Sequence, residues 1–157
     1  WSLTRRGDSP LFAIQVSDST PSGAPGARKY WERDCIELFL DTMPEALPIK
    51  HTEFFNANVL RFFLLPGTEK CEVVTQPRHP VSERLSAKMT RDASGYGITL
   101  EIPLKSLFGT IPPAGKLLGF EVKIDDALPD GSIREYLWNA AEKPYLLRTH
   151  FGLLTLK

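Results

Sequence analysis

The stretch Asp34-Cys35-Ile36-Glu37-Leu38-Phe39-Leu40-Asp41 decides the fold. Successive side chains of a strand point to opposite faces. Read that way, Ile36, Leu38 and Leu40 share one face, and Cys35, Glu37 and Phe39 share the other. A continuous triplet of branched aliphatics on one side is the mark of a strand packed on a core. Glu37 stands alone as a charge among apolar neighbours, and a charge there needs water, a partner or a ligand. A salt bridge across the sheet is the plain alternative to a ligand contact. Just upstream, Trp31 sits at a loop-to-strand junction among Lys29, Tyr30, Glu32 and Arg33. That is a polar setting for so large a ring, and it fits either a ligand platform or a core-edge tryptophan.

Working outward, the same period-two alternation recurs on both sides. Residues 11–18 align Phe12, Ile14 and Val16; residues 85–91 align Leu85, Ala87 and Met89; residues 96–102 align Tyr96, Ile98, Leu100 and Ile102. Residues 53–65 are long enough for two strands or one bent strand, and residues 117–125, 133–138 and 152–156 complete the set. The one helical turn expected is 104–108, started by Pro103. Thirteen prolines and eleven glycines separate these runs at short intervals. Many short strands with frequent turn signals predict an all-β chain, an antiparallel β-sandwich of jelly-roll-like, two-sheet, immunoglobulin-like architecture. The Pro/Gly/Ser stretch at 20–28 reads as an exposed loop, because strand patterns resume on both sides, so residues 1–157 read as a single domain.

Composition excludes several classes. With 19 basic and 19 acidic residues the chain has no net charge, so it lacks the basic surface that nucleic acid needs. No apolar run approaches the roughly 20 residues of a membrane-spanning helix. His51, His79 and His150 have no metal spacing, and no nucleophile–base motif is present, so the chain reads as a non-enzyme. Cys35 and Cys71 allow at most one internal disulfide, and two buried thiols are the simpler reading. The chain opens at Trp1 rather than Met, which reads as a trimmed or processed sequence.

Tyr30-Trp31-Glu32-Arg33-Asp34-Cys35-Ile36-Glu37-Leu38-Phe39-Leu40-Asp41 resembles the W-x-x-D-x-[VI]-E-[IL]-F-[IL]-D strand of carbohydrate-binding module family 9 and its CBM9-like and DOMON-like relatives. Residues 11–18 (LFAIQVSD) resemble the early strand of that family. Gly95-Tyr96 through Glu101-Ile102-Pro103-Leu104 resembles its G-Y-x-x-E-x-x-I-P turn, and residues 151–156 (FGLLTL) its closing F-G-x-L-x-L strand. The four occur in the family's order, from Leu11 to the end, with part of the family's N-terminal strands not matched. The resemblance implies a non-catalytic module that captures an oligo- or polysaccharide. It implies a catalytic domain as partner, a secreted, extracellular or periplasmic bacterial setting, and a bound structural calcium.

On that resemblance two rings clamp a sugar. Trp31 matches the first and Tyr145 the second, where the family carries tryptophan. Glu37 matches a sugar-binding glutamate, and a sugar-binding asparagine falls on Glu142, or on Asn139 if a gap is allowed. The stretch Glu53-Phe54-Phe55-Asn56 corresponds to the family's F-R-V-N strand and carries no arginine. Asp125, Asp126 and Asp130 are the candidate calcium ligands by residue type, although without D-x-D-x-D-G spacing a plain turn also explains them. The competing reading is a haem-binding or redox-partner sandwich, for which Met43, Met89 and the histidines offer axial-ligand types.

Overall fold

Alternating sequences close into two antiparallel sheets that share one apolar interior. The computed structural model describes residues 2–6, 9–18, 29–44, 58–67, 70–76, 81, 85–139 and 151–156. Its strands are β1 (Ser2–Arg6), β2 (Ser9–Ser17), β3 (Cys35–Asp41), β4 (Val59–Pro66), β5 (Cys71–Gln76), β6 (Ser86–Asp92), β7 (Gly95–Glu101), β8 (Leu117–Ala127), β9 (Ile133–Leu137) and β10 (Gly152–Thr155). One sheet runs β1-β2-β7-β6; the other runs β10-β8-β3-β4-β5, with β9 also paired to β8. The expected sandwich is present, and the one α-helix among the described residues, α1 (Leu104–Phe108), falls where Pro103 places it. Gly109, at φ 76°, ends that helix in the left-handed conformation glycine adopts without steric cost.

The interior is built from the predicted inward rows. Phe12 and Ile14 of β2 and Tyr96, Ile98 and Leu100 of β7 face Ile36, Leu38 and Leu40 of β3 and Phe120 and Val122 of β8. Phe12 and Phe120 bridge the sheets with ring centroids 5.5 Å apart. Leu38, at the middle of β3, is 1% exposed. Leu38→Ala is therefore expected to cost about 2–5 kcal/mol, the transfer energy plus a cavity, read by thermal or urea denaturation. A loss under 1 kcal/mol would show that this row does not carry the core.

Two strands escape the sequence pattern. β1 is a short edge strand of Ser-Leu-Thr-Arg-Arg. β5 places Val73 against the main core and Val74 against a cluster on the opposite face, so its alternation cancels. Of residues 53–65, residues 59–65 lie in β4, residue 58 is in the turn before it, and residues 53–57 lie outside the described residues.

The main departure from expectation concerns the second face of β3. All seven of its residues are buried. Behind the core row, Cys35, Phe63 and Leu65 form one cluster with Trp31 and Val74 packed on it, and Phe39, Val59 and Phe151 form another. The face opposite the core is thus a second, thinner interior rather than a solvated surface. Cys35 belongs to it, whereas Cys71 packs toward the main core, and both thiols are free. Burial raises the Cys35 thiol well above its ordinary value, with Glu37 and Asp125 adding to the rise, and pushes Cys71 up to about 11. Neither is a reactive thiol.

Candidate functional site

Strand register assembles the outer face of the six-stranded sheet in rows. Phe63, Glu37, Lys123 and Leu137 lie side by side across β4, β3, β8 and β9. The next row brings Gln76, Arg61, Phe39 and Glu121 together across β5, β4, β3 and β8. The row on the other side pairs Cys35 with Asp125 and Asp125 with Glu135. Three charged residues, Glu37, Lys123 and Arg61, thus meet at the centre of a face whose neighbours are aromatic.

Glu37 is fully buried and holds that centre. Its Oε2 accepts from both Nε and Nη2 of Arg61, and its Oε1 lies 3.3 Å from Lys123 Nζ. Lys123 Nζ also lies 2.7 Å from Asp125 Oδ1 and 2.5 Å from Glu135 Oε1. Burial alone would lower the Lys123 ammonium, but Glu37, Asp125 and Glu135 outweigh it and raise it above its ordinary value. The Arg61 guanidinium lies over three rings: Phe63 at 4.3 Å, and Trp31 and Phe39 at 5.2 Å each. A planar cation sandwiched by rings and fixed by a carboxylate has little freedom left.

Trp31 rides on a 3-10 turn, Tyr30–Glu32, that ends just before β3. It is half-buried, with its ring stacked on Phe63 at 6.1 Å and Lys29 Nζ 5.6 Å from its centroid. Its neighbour Tyr30 packs on Phe63 at 5.0 Å. At the far side, the buried Glu121 carboxylate accepts from the backbone N–H of Trp138 at 2.8 Å and of Asn139 at 3.0 Å. This clamp fixes the chain leaving β9, where Asn139 is exposed.

The structure therefore brings Trp31 and Glu37 to one face, joined through Arg61. Glu142 and Tyr145 lie outside the described residues. Asp125 and Asp126 are consecutive in β8 and point to opposite faces. Asp130 accepts from the backbone and hydroxyl of Ser132 in a turn. The candidate metal ligands are thus not brought together. Instead Asp126 meets Asp18 and Asp34, with carboxylate oxygens within 4.8 Å of one another. Met89 packs against the core, Met43 is exposed, and the three histidines lie outside the described residues. Arg61 is a candidate site residue that sequence reasoning missed. It interrupts an apolar run in the same way as Glu37, and that was the signal.

The described residues form a two-sheet antiparallel sandwich with an aromatic and ionic outer face. The chain matches the family described as "Carbohydrate family 9 binding domain-like" over residues 7–157, and it belongs to that family of carbohydrate-binding modules. Its fold is similar to that of a carbohydrate binding module family 9 (CBM9) from Caldicellulosiruptor kristjanssonii in complex with cellotriose. The TM-score is 0.75 at 16% identity, covering 99% of this chain and 72% of that one. A second structure of a family 9 module from the same organism, in complex with glucose, gives a TM-score of 0.64 at 16% identity, covering 95% and 70%. No curated protein sequence matches the chain.

Proposed function

We propose that the outer face of the six-stranded sheet, from Trp31 toward Asn139, captures a glucose-containing oligosaccharide without chemistry. The observation that carries this is Trp31, half-buried on Phe63 with the Arg61 guanidinium over its ring and Glu37 fixing that guanidinium. A sugar presents an apolar C–H face to a ring and hydroxyls to fixed polar groups. Here the ring and the cation are positioned before ligand arrives, which reduces the ordering cost of binding. Glu37 acts from beneath, holding Arg61 and Lys123. Glu142 and Tyr145 remain sugar-binding candidates from the sequence resemblance on this reading. The ligands named for the two similar structures, cellotriose and glucose, are the sugars to try first. A glycan-degrading enzyme that works outside the cytosol is the partner this reading implies.

Calorimetric titration with cellotriose and with glucose tests it. The wild-type chain should bind, and Trp31→Ala should lose measurable binding while costing roughly 0.5–3 kcal/mol of stability. The variant must remain folded by circular dichroism. Unchanged affinity in folded Trp31→Ala would remove the ring from the site.

A further inference from the structure

The turn before β3 carries a second ring beside Trp31. A 3-10 helix has three residues per turn, so residues three apart lie above one another. That places Glu32 over Lys29, and the turn closes on this pair. The Glu32 N–H donates to the Lys29 carbonyl at 3.1 Å, and the Glu32 carboxylate accepts from the Lys29 N–H at 3.3 Å. Lys29 Nζ lies 3.7 Å from Glu32 Oε1. Tyr30 and Trp31 are left to fill the other two directions, and both rings come down on Phe63. Phe63 is fully buried, so the two rings share one fixed base.

Around that base one arrangement occurs twice. Trp31 lies 6.1 Å from Phe63, with the Arg61 guanidinium 5.2 Å from its own centroid. Tyr30 lies 5.0 Å from Phe63, with the Arg33 guanidinium 5.9 Å from its own centroid. Tyr30 is 36% exposed, more than the half-buried Trp31. The two cations differ in one respect. Glu37 holds Arg61, whereas Arg33 has no carboxylate partner among the described residues. Its N–H fork is therefore available to the hydroxyl oxygens of a ligand. An exposed phenol ring beside an uncommitted guanidinium offers a surface for the C–H face of a pyranose and donors for its rim.

We propose that Tyr30 and Arg33 form a second sugar subsite beside Trp31, so that this face binds an oligosaccharide in preference to a single sugar. The inference rests on the sugar-binding reading of Trp31 and extends it. The rings incline on Phe63 by different angles, 28° for Trp31 and 49° for Tyr30, so they present two surfaces rather than one. Each surface takes its own sugar unit. The competing role for Tyr30 is structural, a wedge that keeps Trp31 in place on Phe63. The two roles differ in what they do to affinity. A wedge acts on every sugar that Trp31 binds. A subsite acts only on a sugar long enough to reach Tyr30.

The test is calorimetric titration of the full chain with glucose and with cellotriose. The wild-type chain should bind cellotriose about three- to tenfold more tightly than glucose, the scale of one added ring contact. Tyr30→Ala should bring cellotriose down to the affinity of glucose and leave glucose unchanged. Tyr30→Phe keeps the ring and should keep the preference. Arg33→Gln should weaken cellotriose by about three- to tenfold, again without touching glucose. Retained glucose binding shows in each variant that the fold and Trp31 are intact. Equal affinity for the two sugars in the wild-type chain overturns the subsite and leaves the Trp31 reading standing. A preference that survives in Tyr30→Ala overturns it as well. Equal loss of both sugars in Tyr30→Ala makes Tyr30 the wedge and also overturns it. Binding of neither sugar by the wild-type chain removes the Trp31 reading and the subsite together.

Discussion

Lys123→Met should cost about 3–5 kcal/mol, the scale of breaking a buried pair by removing one partner, and lower the melting temperature on the order of 10 °C. Methionine keeps most of the stem's volume, so lost packing is not the cause. The ammonium is 2% exposed and faces Glu37, Asp125 and Glu135. Without it, the fully buried Glu37 keeps, among the described residues, Arg61 as its cation. Urea denaturation measures the loss. Adding Asp125→Asn to Lys123→Met should recover little of it at neutral pH, because the folded chain already holds that carboxyl protonated and the charge left short of a cation is Glu37. A change below 1 kcal/mol in the single variant would mean that the network is solvated and the outer face is not a second interior.

The core was legible because burial on one side imposes period two, and every inward row named from the sequence lies inward in the structure. The site was legible only in part. Glu37 announced itself as a charge in an apolar strand, but its partners did not. Lys123 is 86 residues away in sequence, and Arg61 reaches Glu37 only once β4 has paired with β3 in the observed register. Register depends on which residues meet after folding, and one sequence does not display it. The aspartates show a different failure. Asp125 and Asp126 were grouped as neighbours in sequence, yet adjacency in a strand sends two side chains to opposite faces. Extending each inward row by one more step, to Asp18, Asp34 and Asp126, would have found the rim cluster from the alternation alone.

Stability should fall as pH rises from the acid range through neutrality, and Asp125 should be the cause. Burial, then Glu37, pushes its carboxyl up to about 8, against the opposing pull of Lys123. The charges around it explain the direction. Arg61 and Lys123 are balanced by Glu37 and Glu135, so an ionised Asp125 would be a surplus anion beside the Cys35 thiol. Lys123 Nζ approaches Oδ1 at 2.7 Å, but among the described residues neither Asp125 oxygen has a well-formed hydrogen bond. The folded chain therefore holds this proton where the unfolded chain has released it. The contribution is fully present below the ordinary carboxylate range, and it is lost as pH climbs through the raised value. The exposed Asp92 and Asp130, lowered first by hydrogen bonds from Ser94 and Ser132, act in the opposite sense and only toward the acid end. Asparagine imitates the protonated acid in shape without its titration. Melting curves of wild type and Asp125→Asn from pH 5 to 9 should converge at the acid end. They should separate as pH rises, with the variant losing less. Parallel curves over that range would show that Asp125 is already ionised in the folded chain.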